Sequence, residues 1–285
     1  PAFFNHNRIL GCIILSYRLM YEGDATHVSQ RVSIYFRVFN PGYSVFKKDS
    51  KKSKVIKMSR GTSVNKDRHE MNTHGVWSVS VPGDLDGLAY QFRVYHEESF
   101  YQDTRDPYSI ALSLNNKKSL VVNPERLVPK GYQKVTRQEA NWRNVNACSS
   151  VICEMHLRDF SISETSGVKK AYRGTYLGAC QKGTKNDQGD VTGFDYIKRM
   201  GYNYVQLQPV FDHHKTYDKN GNLLYNWGYD PENYNVPDRQ FAADQKNPVA
   251  PILELKKMIQ AYHEAGMGVI MDVVYNHTYS SYSSP

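Results

Sequence analysis

The sequence has little that would commit it to a membrane, a metal or a disulfide scaffold. Its apolar stretch at residues 9–15 is too short to cross a bilayer and has neither a basic leader nor a small-residue cleavage site, so it reads as a β-strand. Only four cysteines occur in 285 residues: Cys12, Cys148, Cys153 and Cys180. No two have the short spacing of a zinc site, and four do not make a dense disulfide framework. They read as reduced, mostly buried thiols, which leans the localisation toward the cytoplasm and leaves a secreted form open. Pro1 and Pro285 both read as cuts in a longer chain, so a leader before Pro1 stays open too.

Acidic side chains are the minority. Lys and Arg number 36 against 28 Asp and Glu, a net charge of +8. Much of the excess lies in one run, Lys47, Lys48, Lys51, Lys52, Lys54 and Lys57, set among serines with none of the aromatic platforms that single-strand nucleic-acid binders use. The run reads as a solvated loop, and neither a nucleic acid nor a membrane is expected as a partner. Hydrophobic residues at 40% and charged residues at 22% are near globular averages, which argues against a disordered chain. Aromatics at 13%, 22 of them Tyr, suit both strand-rich cores and stacking on flat ligands such as sugar rings.

The length allows two cores. Over residues 32–95 the pattern alternates: Val32, Ile34, Phe36 and Val38 share one face, residues 76–81 follow, then Tyr90, Phe92 and Val94. Turn signals at residues 40–42 and 82–84 separate these runs and predict an antiparallel sandwich. Past Tyr108 the periodicity fades through a stretch broken by Pro124 and Pro129. The division is therefore an N-terminal segment of unclear assignment at 1–25, a sandwich at 26–130, a linker at 131–147 and a second domain at 148–285. That domain alternates strands (151–157, 202–210, 269–274) with helices. One helix carries Phe194, Ile197 and Met200 and is capped by Gly201; the other carries Ile252, Leu255, Ile259 and Tyr262 and ends at Gly266. Apolar strands in this order predict a parallel sheet covered by helices, either doubly wound or closed into a barrel.

Ligands of such folds bind outside the carboxyl ends of the strands. Three segments meet there: residues 154–160, the long loop at 211–249, and residues 272–278. A loop that long is functional or disordered, and its aromatic content argues against disorder. It contains Tyr225, Asn226, Trp227, Gly228, Tyr229, Asp230 and Pro231. The flat side chains could cover sugar faces while Asn226 and Asp230 bond sugar hydroxyls or neighbouring backbone, and Gly228 would let the backbone approach closely. The same residues also suit a loop packed on itself. The third strand ends in Asp272, Asn276 and His277; side chains at such positions serve as structural partners more often than as ligands. Asn276-His277-Thr278 also matches a glycosylation acceptor, discounted because a strand-end asparagine would be buried.

Residues 272–277 resemble the first signature segment of the α-amylase superfamily, glycoside hydrolase family 13, and residues 225–231 resemble the type I pullulanase signature. Residues 151–161, with Glu154, His156, Arg158 and Asp159, are similar to the first barrel strand of pullulanases, and residues 205–210 to the second. Residues 75–123, with Trp77 and Asp106-Pro107-Tyr108, resemble a family 48 carbohydrate-binding module. The resemblance implies a multidomain β plus α/β chain, an antiparallel β-sandwich followed by about three strand-helix units of a (β/α)8 TIM barrel. It implies retaining hydrolysis of α-1,6-glucosidic bonds in pullulan, amylopectin, glycogen or branched maltodextrin. Tyr229 would stack on the sugar at the cleavage subsite, His277 would bond its hydroxyls, and Asp272 would support the catalytic machinery from below. Trp227 would shape the pocket, with Tyr225, Asn226 and Asp230 completing the substrate-binding set. No cofactor is required; in some relatives the residue at Asn276 holds calcium, and in others it supports the loop.

The nucleophile and general acid of such enzymes lie on later strands, so Asp159, Asp212, Asp230 and Asp272 are assigned neither role and the fragment alone is expected to be inactive. Residues 237–241 depart from the glycine-containing turn of pullulanases, which bears on the outer subsites. Isoamylase, branching enzyme and amylase are the alternatives inside the superfamily, and a non-catalytic glucan-binding protein is the alternative outside it. Three barrel strands would leave open edges, so residues 148–285 are expected to be unstable alone, whereas the sandwich is expected to fold independently and bind glucan weakly.

Overall fold

A computed structural model describes residues 12–18, 32–39, 53–60, 76–82, 85–96, 99–132 and 147–280. The chain divides between Asn123 and Pro124 into two compact units.

Among its described residues the first unit has eight strands: β1 (Cys12–Arg18), β2 (Val32–Phe39), β3 (Ser53–Lys57), β4 (Ser59–Arg60), β5 (Val76–Pro82), β6 (Ala89–His96), β7 (Ser99–Thr104) and β8 (Ser119–Leu120). Every pairing is antiparallel; one sheet runs β1-β5-β4, the other β3-β2-β6-β7 with β8 added to β6. Alternation explains how the sheets join, because successive side chains of a strand face opposite ways. Trp77, Val79 and Val81 of β5 meet Tyr90 and Phe92 of β6, together with Ile56 and Met58, in one core. Tyr90 carries a polar tip into that core, and burial followed by the neighbouring Asp106 pushes its phenol well up. Its hydroxyl donates to Asp106 Oδ2 at 2.6 Å, so the buried pair is satisfied.

Two expectations change here, and parts of others lie outside the described residues. The first strand starts at Cys12, and residues 9–11 lie outside the described ones, as do the turn signals at 40–42 and 83–84. Lys54 and Lys57 are exposed but stand on β3, paired to β2, rather than in a loop; strand pairing overrides the low β-propensity of lysine, and the rest of the lysine run lies outside the described residues. Of the cysteines whose side chains are described, Cys148 is exposed and Cys153 and Cys180 are half-buried, so the thiols are not mostly buried; Cys148 sits on a short turn before the next strand.

The second unit contains a parallel sheet of β9 (Ile152–Met155), β10 (Tyr204–Leu207) and β13 (Gly268–Met271), in the order β13-β10-β9. Cys153, Val205 and Val269 stand side by side, as do Met155, Leu207 and Met271. Helices α1 (Tyr176–Ala179), α2 (Gly193–Met200) and α3 (Ala250–Glu264) accompany them. Phe194 and Ile197 of α2 and Leu255, Met258 and Tyr262 of α3 pack on Met155, Val205 and Leu207. Each of these buried side chains stabilises the unit by about 2 kcal/mol relative to exposure. Met200, the third residue expected on that face, is 55% exposed, since it ends the helix just before Gly201 turns left-handed at φ 79°.

The strand expected to be buried over residues 269–274 stops at Met271. Met271 and Val273 are exposed, because β13 is an edge of the sheet and lacks a second neighbouring strand among the described residues. The loop after β10 is also more ordered than its sequence suggested. It contains an antiparallel hairpin of β11 (Phe211–His213) and β12 (Pro231–Pro237), then a single 3-10 turn at Arg239–Phe241.

Candidate active site at the strand ends

The parallel register brings the three strand ends level. Gln208 donates its amide to Met155 O and Asp272 donates its amide to Leu207 O, each at 3.0 Å, so the ladder continues one residue past the strands. Glu154, one residue from the end of β9, accepts from the side chains of Gln206 at 3.3 Å and Gln208 at 3.1 Å. Gln206 and Gln208 were not singled out in the sequence; they alternate with buried Val205 and Leu207, and that alternation was the available signal.

Tyr229 and Asp272 come together although 43 positions separate them: the phenol donates to Asp272 Oδ2 at 2.8 Å. Burial, then the bond to Asp272 and the charge of Glu154, push the Tyr229 phenol up to about 12, so it remains a donor. His277 joins through Nε2, 2.8 Å from the Tyr229 carbonyl. A carbonyl only accepts, so Nε2 carries the proton and Nδ1, 3.0 Å from Asn276 Oδ1, is the accepting side when the Asn276 amide turns its NH2 toward it. Tyr234 on β12 donates to the His277 carbonyl at 2.7 Å, and Tyr279 stacks on His214 with ring centroids 3.5 Å apart.

The loop residues resolve differently from one another. Asn226 Nδ2 donates to the His214 carbonyl at 3.1 Å and to both Asp230 carboxylate oxygens at 3.0 Å, while its Oδ1 accepts from the Gly228 amide at 2.9 Å. Of the two roles open to Asn226 and Asp230, the structure shows bonding within the protein. Tyr225 donates to Asp159 Oδ2 at 2.6 Å, and Arg158 donates to Oδ1 at 2.8 Å. Burial raises the Asp159 carboxyl, but these two hydrogen bonds and the nearby His156 and Arg158 outweigh it and hold the group below its usual range. Trp227 is 59% exposed. Gly228 is buried at φ 93°, and a Cβ there would lie 3.1 Å from Pro209 O and 3.2 Å from His213 Nδ1, so the close approach expected of this glycine is real.

Beneath this loop lies a charged cluster that the sequence reading missed. Asp238, fully buried, caps the 3-10 turn through the Gln240 amide at 2.8 Å, pairs with Lys215 Nζ and stands 3.0 Å from His213 Nδ1. Gln240 donates its side-chain amide to His213 Nε2 at 2.9 Å, which makes Nδ1 the protonated nitrogen, facing Asp238 and the Phe211 carbonyl. Burial lowers the His213 pKa despite Asp238, so the ring is a neutral donor and Lys215 supplies the balancing charge. His156, at the end of β9, is also buried and lowered by burial, with Asp159 opposing. Its Nδ1 is 3.3 Å from Asp159 Oδ2 without hydrogen-bond geometry.

Asn276 is exposed, so the ground for discounting its glycosylation pattern does not hold: the strand ends at Met271, before it. Calcium calls for about six to eight oxygen ligands. Among the described residues no group of three or more His, Cys, Asp and Glu side chains is placed to hold a metal. No helix among the described residues is long and apolar enough to cross a membrane.

The profile of the alpha amylase catalytic domain matches residues 159–284, and that of carbohydrate-binding module 48, the isoamylase N-terminal domain, matches residues 27–109. A pullulanase of Bacillus subtilis (strain 168) is 35% identical over 211 residues, covering 74% of this chain and 28% of that protein. Isoamylase 3, chloroplastic, of Oryza sativa subsp. japonica is 30% identical over 233 residues, again 74% of this chain and 28% of the relative. Among solved structures, a pullulanase from Bacillus acidopullulyticus superposes with a TM-score of 0.76 at 30% identity, covering 99% of this chain and 30% of that one. The chain thus spans under a third of the length of these relatives. The chain belongs to the alpha-amylase family of glycoside hydrolases, as a type I pullulanase-like member with an N-terminal carbohydrate-binding module 48.

Proposed function

We propose that the protein is a starch-debranching hydrolase of the pullulanase type, cleaving α-1,6-glucosidic bonds with retention. The observation that carries this reading is the contact between Tyr229 and Asp272, 2.8 Å apart at the strand ends, locked by His277 on the Tyr229 carbonyl. It joins the two segments whose resemblances were independent in sequence. On this reading β9, β10 and β13 are the opening strands of a (β/α)8 barrel, and residues 148–285 form its first part.

The Tyr229 ring presents a flat face to the sugar at the cleavage subsite, with its hydroxyl fixed by Asp272. His277 reaches substrate hydroxyls by exchanging the contact to Asn276, and Trp227 walls the pocket. Tyr225, Asn226 and Asp230 act at one remove, by shaping the loop. Asp272 is engaged by a phenol and serves to orient, whereas a retaining glycosidase needs a free nucleophilic carboxylate about 5 Å from a protonated acid. Those two roles belong to residues outside 1–285, and this chain alone is inactive.

The relatives favour α-glucans as substrate: a pullulanase from Paenibacillus barengoltzii has been solved with maltohexaose and alpha-cyclodextrin, and its chain aligns at 29% identity with a TM-score of 0.72. Incubating the full-length protein with pullulan and with amylose should release reducing ends from pullulan only, and proton NMR of the early product should show the α-anomer. Cleavage of amylose with pullulan untouched would refute the debranching assignment.

A further inference from the structure

The segment between β11 and β12 forms a small hairpin that nothing above uses. Tyr217 bridges Leu223, and Leu224 donates its amide to the Thr216 carbonyl at 2.8 Å. Asp218 ties the turn: its Oδ1 accepts the amides of Asn220 and Asn222, each at 2.8 Å, and Oδ2 accepts the Asn222 side chain at 2.9 Å. Gly221 takes the left-handed conformation the turn needs, at φ 82°. The hairpin therefore has a defined shape, yet it exposes its large side chains: Tyr217 by 58%, Leu223 by 43% and Leu224 by 46%. Tyr225 and Trp227 continue the exposed series along the chain toward Tyr229.

Single exposed apolar residues are ordinary, but five within residues 217–227 mark a surface that something covers. Two properties decide what. The row leads directly into the candidate sugar site, and its apolar side chains flank a polar turn carrying Asp218, Lys219, Asn220 and Asn222. Protein interfaces deplete charge at their core. A glucan offers the matching amphipathy, apolar ring faces edged by hydroxyls, and aromatic side chains stack on such faces.

We propose that Tyr217, Leu223 and Leu224 form an outer subsite for the α-glucan, holding glucose units beyond the one at Tyr229, and that this hairpin sets the preference for longer chains. The inference rests on the debranching reading. The test is calorimetric titration of the full-length protein and of the triple variant Tyr217→Ala, Leu223→Ser, Leu224→Ser with maltotriose and with maltohexaose. The expected result is about a tenfold rise in the maltohexaose Kd, equivalent to about 1.4 kcal/mol, with maltotriose unchanged. Circular dichroism should show both proteins folded; if the triple variant is not, Tyr217→Ala alone should weaken maltohexaose about threefold. Equal maltohexaose affinity in wild type and variant overturns the outer subsite while leaving the debranching reading in place. Wild type that binds neither sugar and does not cleave pullulan removes the underlying reading itself. Self-association of the wild type that the variant abolishes, with maltohexaose binding unchanged, shows that a second copy covers the hairpin and also overturns the proposal.

Discussion

The two ends of the β11–β12 hairpin invert the usual distribution of side chains. At its base Asp212, His213 and Asp238 are buried almost completely with Lys215 beside them, whereas at its tip Tyr217, Leu223 and Trp227 lie largely in solvent. Burying charge is costly unless it is paired and hydrogen-bonded, and here Asp238 has Lys215, the His213 ring and the Gln240 amide. Exposing single large apolar groups is ordinary, but a cluster of them marks a surface used for contact. The contrast teaches that the base gives the loop a single conformation, through directional polar contacts, while the tip keeps a surface that the protein itself does not cover.

The sharpest way to break that contrast is Asp238→Ala. It leaves Lys215 near Asp212 alone and the His213 ring with only the Phe211 carbonyl, and should destabilise the second unit by about 3–5 kcal/mol in urea unfolding of the full-length protein. An effect below about 1 kcal/mol would show that the base is solvated and not a rigid foundation. Gly228→Ala tests the seat between base and signature loop. The new methyl meets Pro209 O and His213 Nδ1 at a φ that L-residues avoid, so the expected loss is about 1–3 kcal/mol, with weaker maltotriose binding because Tyr229 moves with its neighbour.

A pH titration separates base from tip without mutation. His213 and His156 have pKa values lowered in the folded protein, chiefly by burial, from the ordinary 6.5. A depressed histidine favours the fold above its unfolded pKa, and that contribution is lost as pH falls from about 6.5 through the folded value. Melting temperature should therefore drop between pH 7 and pH 5, and His213→Gln should flatten part of the drop. Tyr229 has the opposite window: its phenol is raised to about 12, so its contribution is complete below pH 10 and fades as pH rises through 12. The smallest effect belongs to the tip. Tyr217→Ala should change unfolding free energy by no more than about 0.5 kcal/mol, the range of exposed substitutions; a larger loss would mean the tip is structural after all.

The elements legible in the sequence were those where local pattern and tertiary burial agree. The helix over Ala250–Glu264 places Ile252, Leu255, Met258 and Tyr262 in the core at helical spacing, and Gly201 and Gly266 end their helices at positive φ. Strands β9 and β10 were found within a few residues. The hairpin β11–β12 was not, since Phe211-Asp212-His213 places an acid and an imidazole at buried positions and β12 begins and ends in proline. No local rule marks such charges as interior; only their partners, up to 27 positions away, make burial tolerable. The edge exposure of Met271 and Val273 escaped for a related reason, because apolar composition does not say whether a strand has neighbours on both sides.

By itself the sequence determined the division into an antiparallel unit and a parallel one, because periodicity runs along the chain, whereas Tyr229, Asp272 and His277 were named by the resemblance of residues 225–231 and 272–277 to known signature segments. Only the tertiary structure decided that the Tyr229 phenol meets Asp272, that Tyr225 meets Asp159, that Asn226 and Asp230 bond each other, and that Asp238 pairs with Lys215 against the His213 ring. Those contacts join residues as many as 66 positions apart, and such pairs are set by strand register and by the need to satisfy buried polar groups.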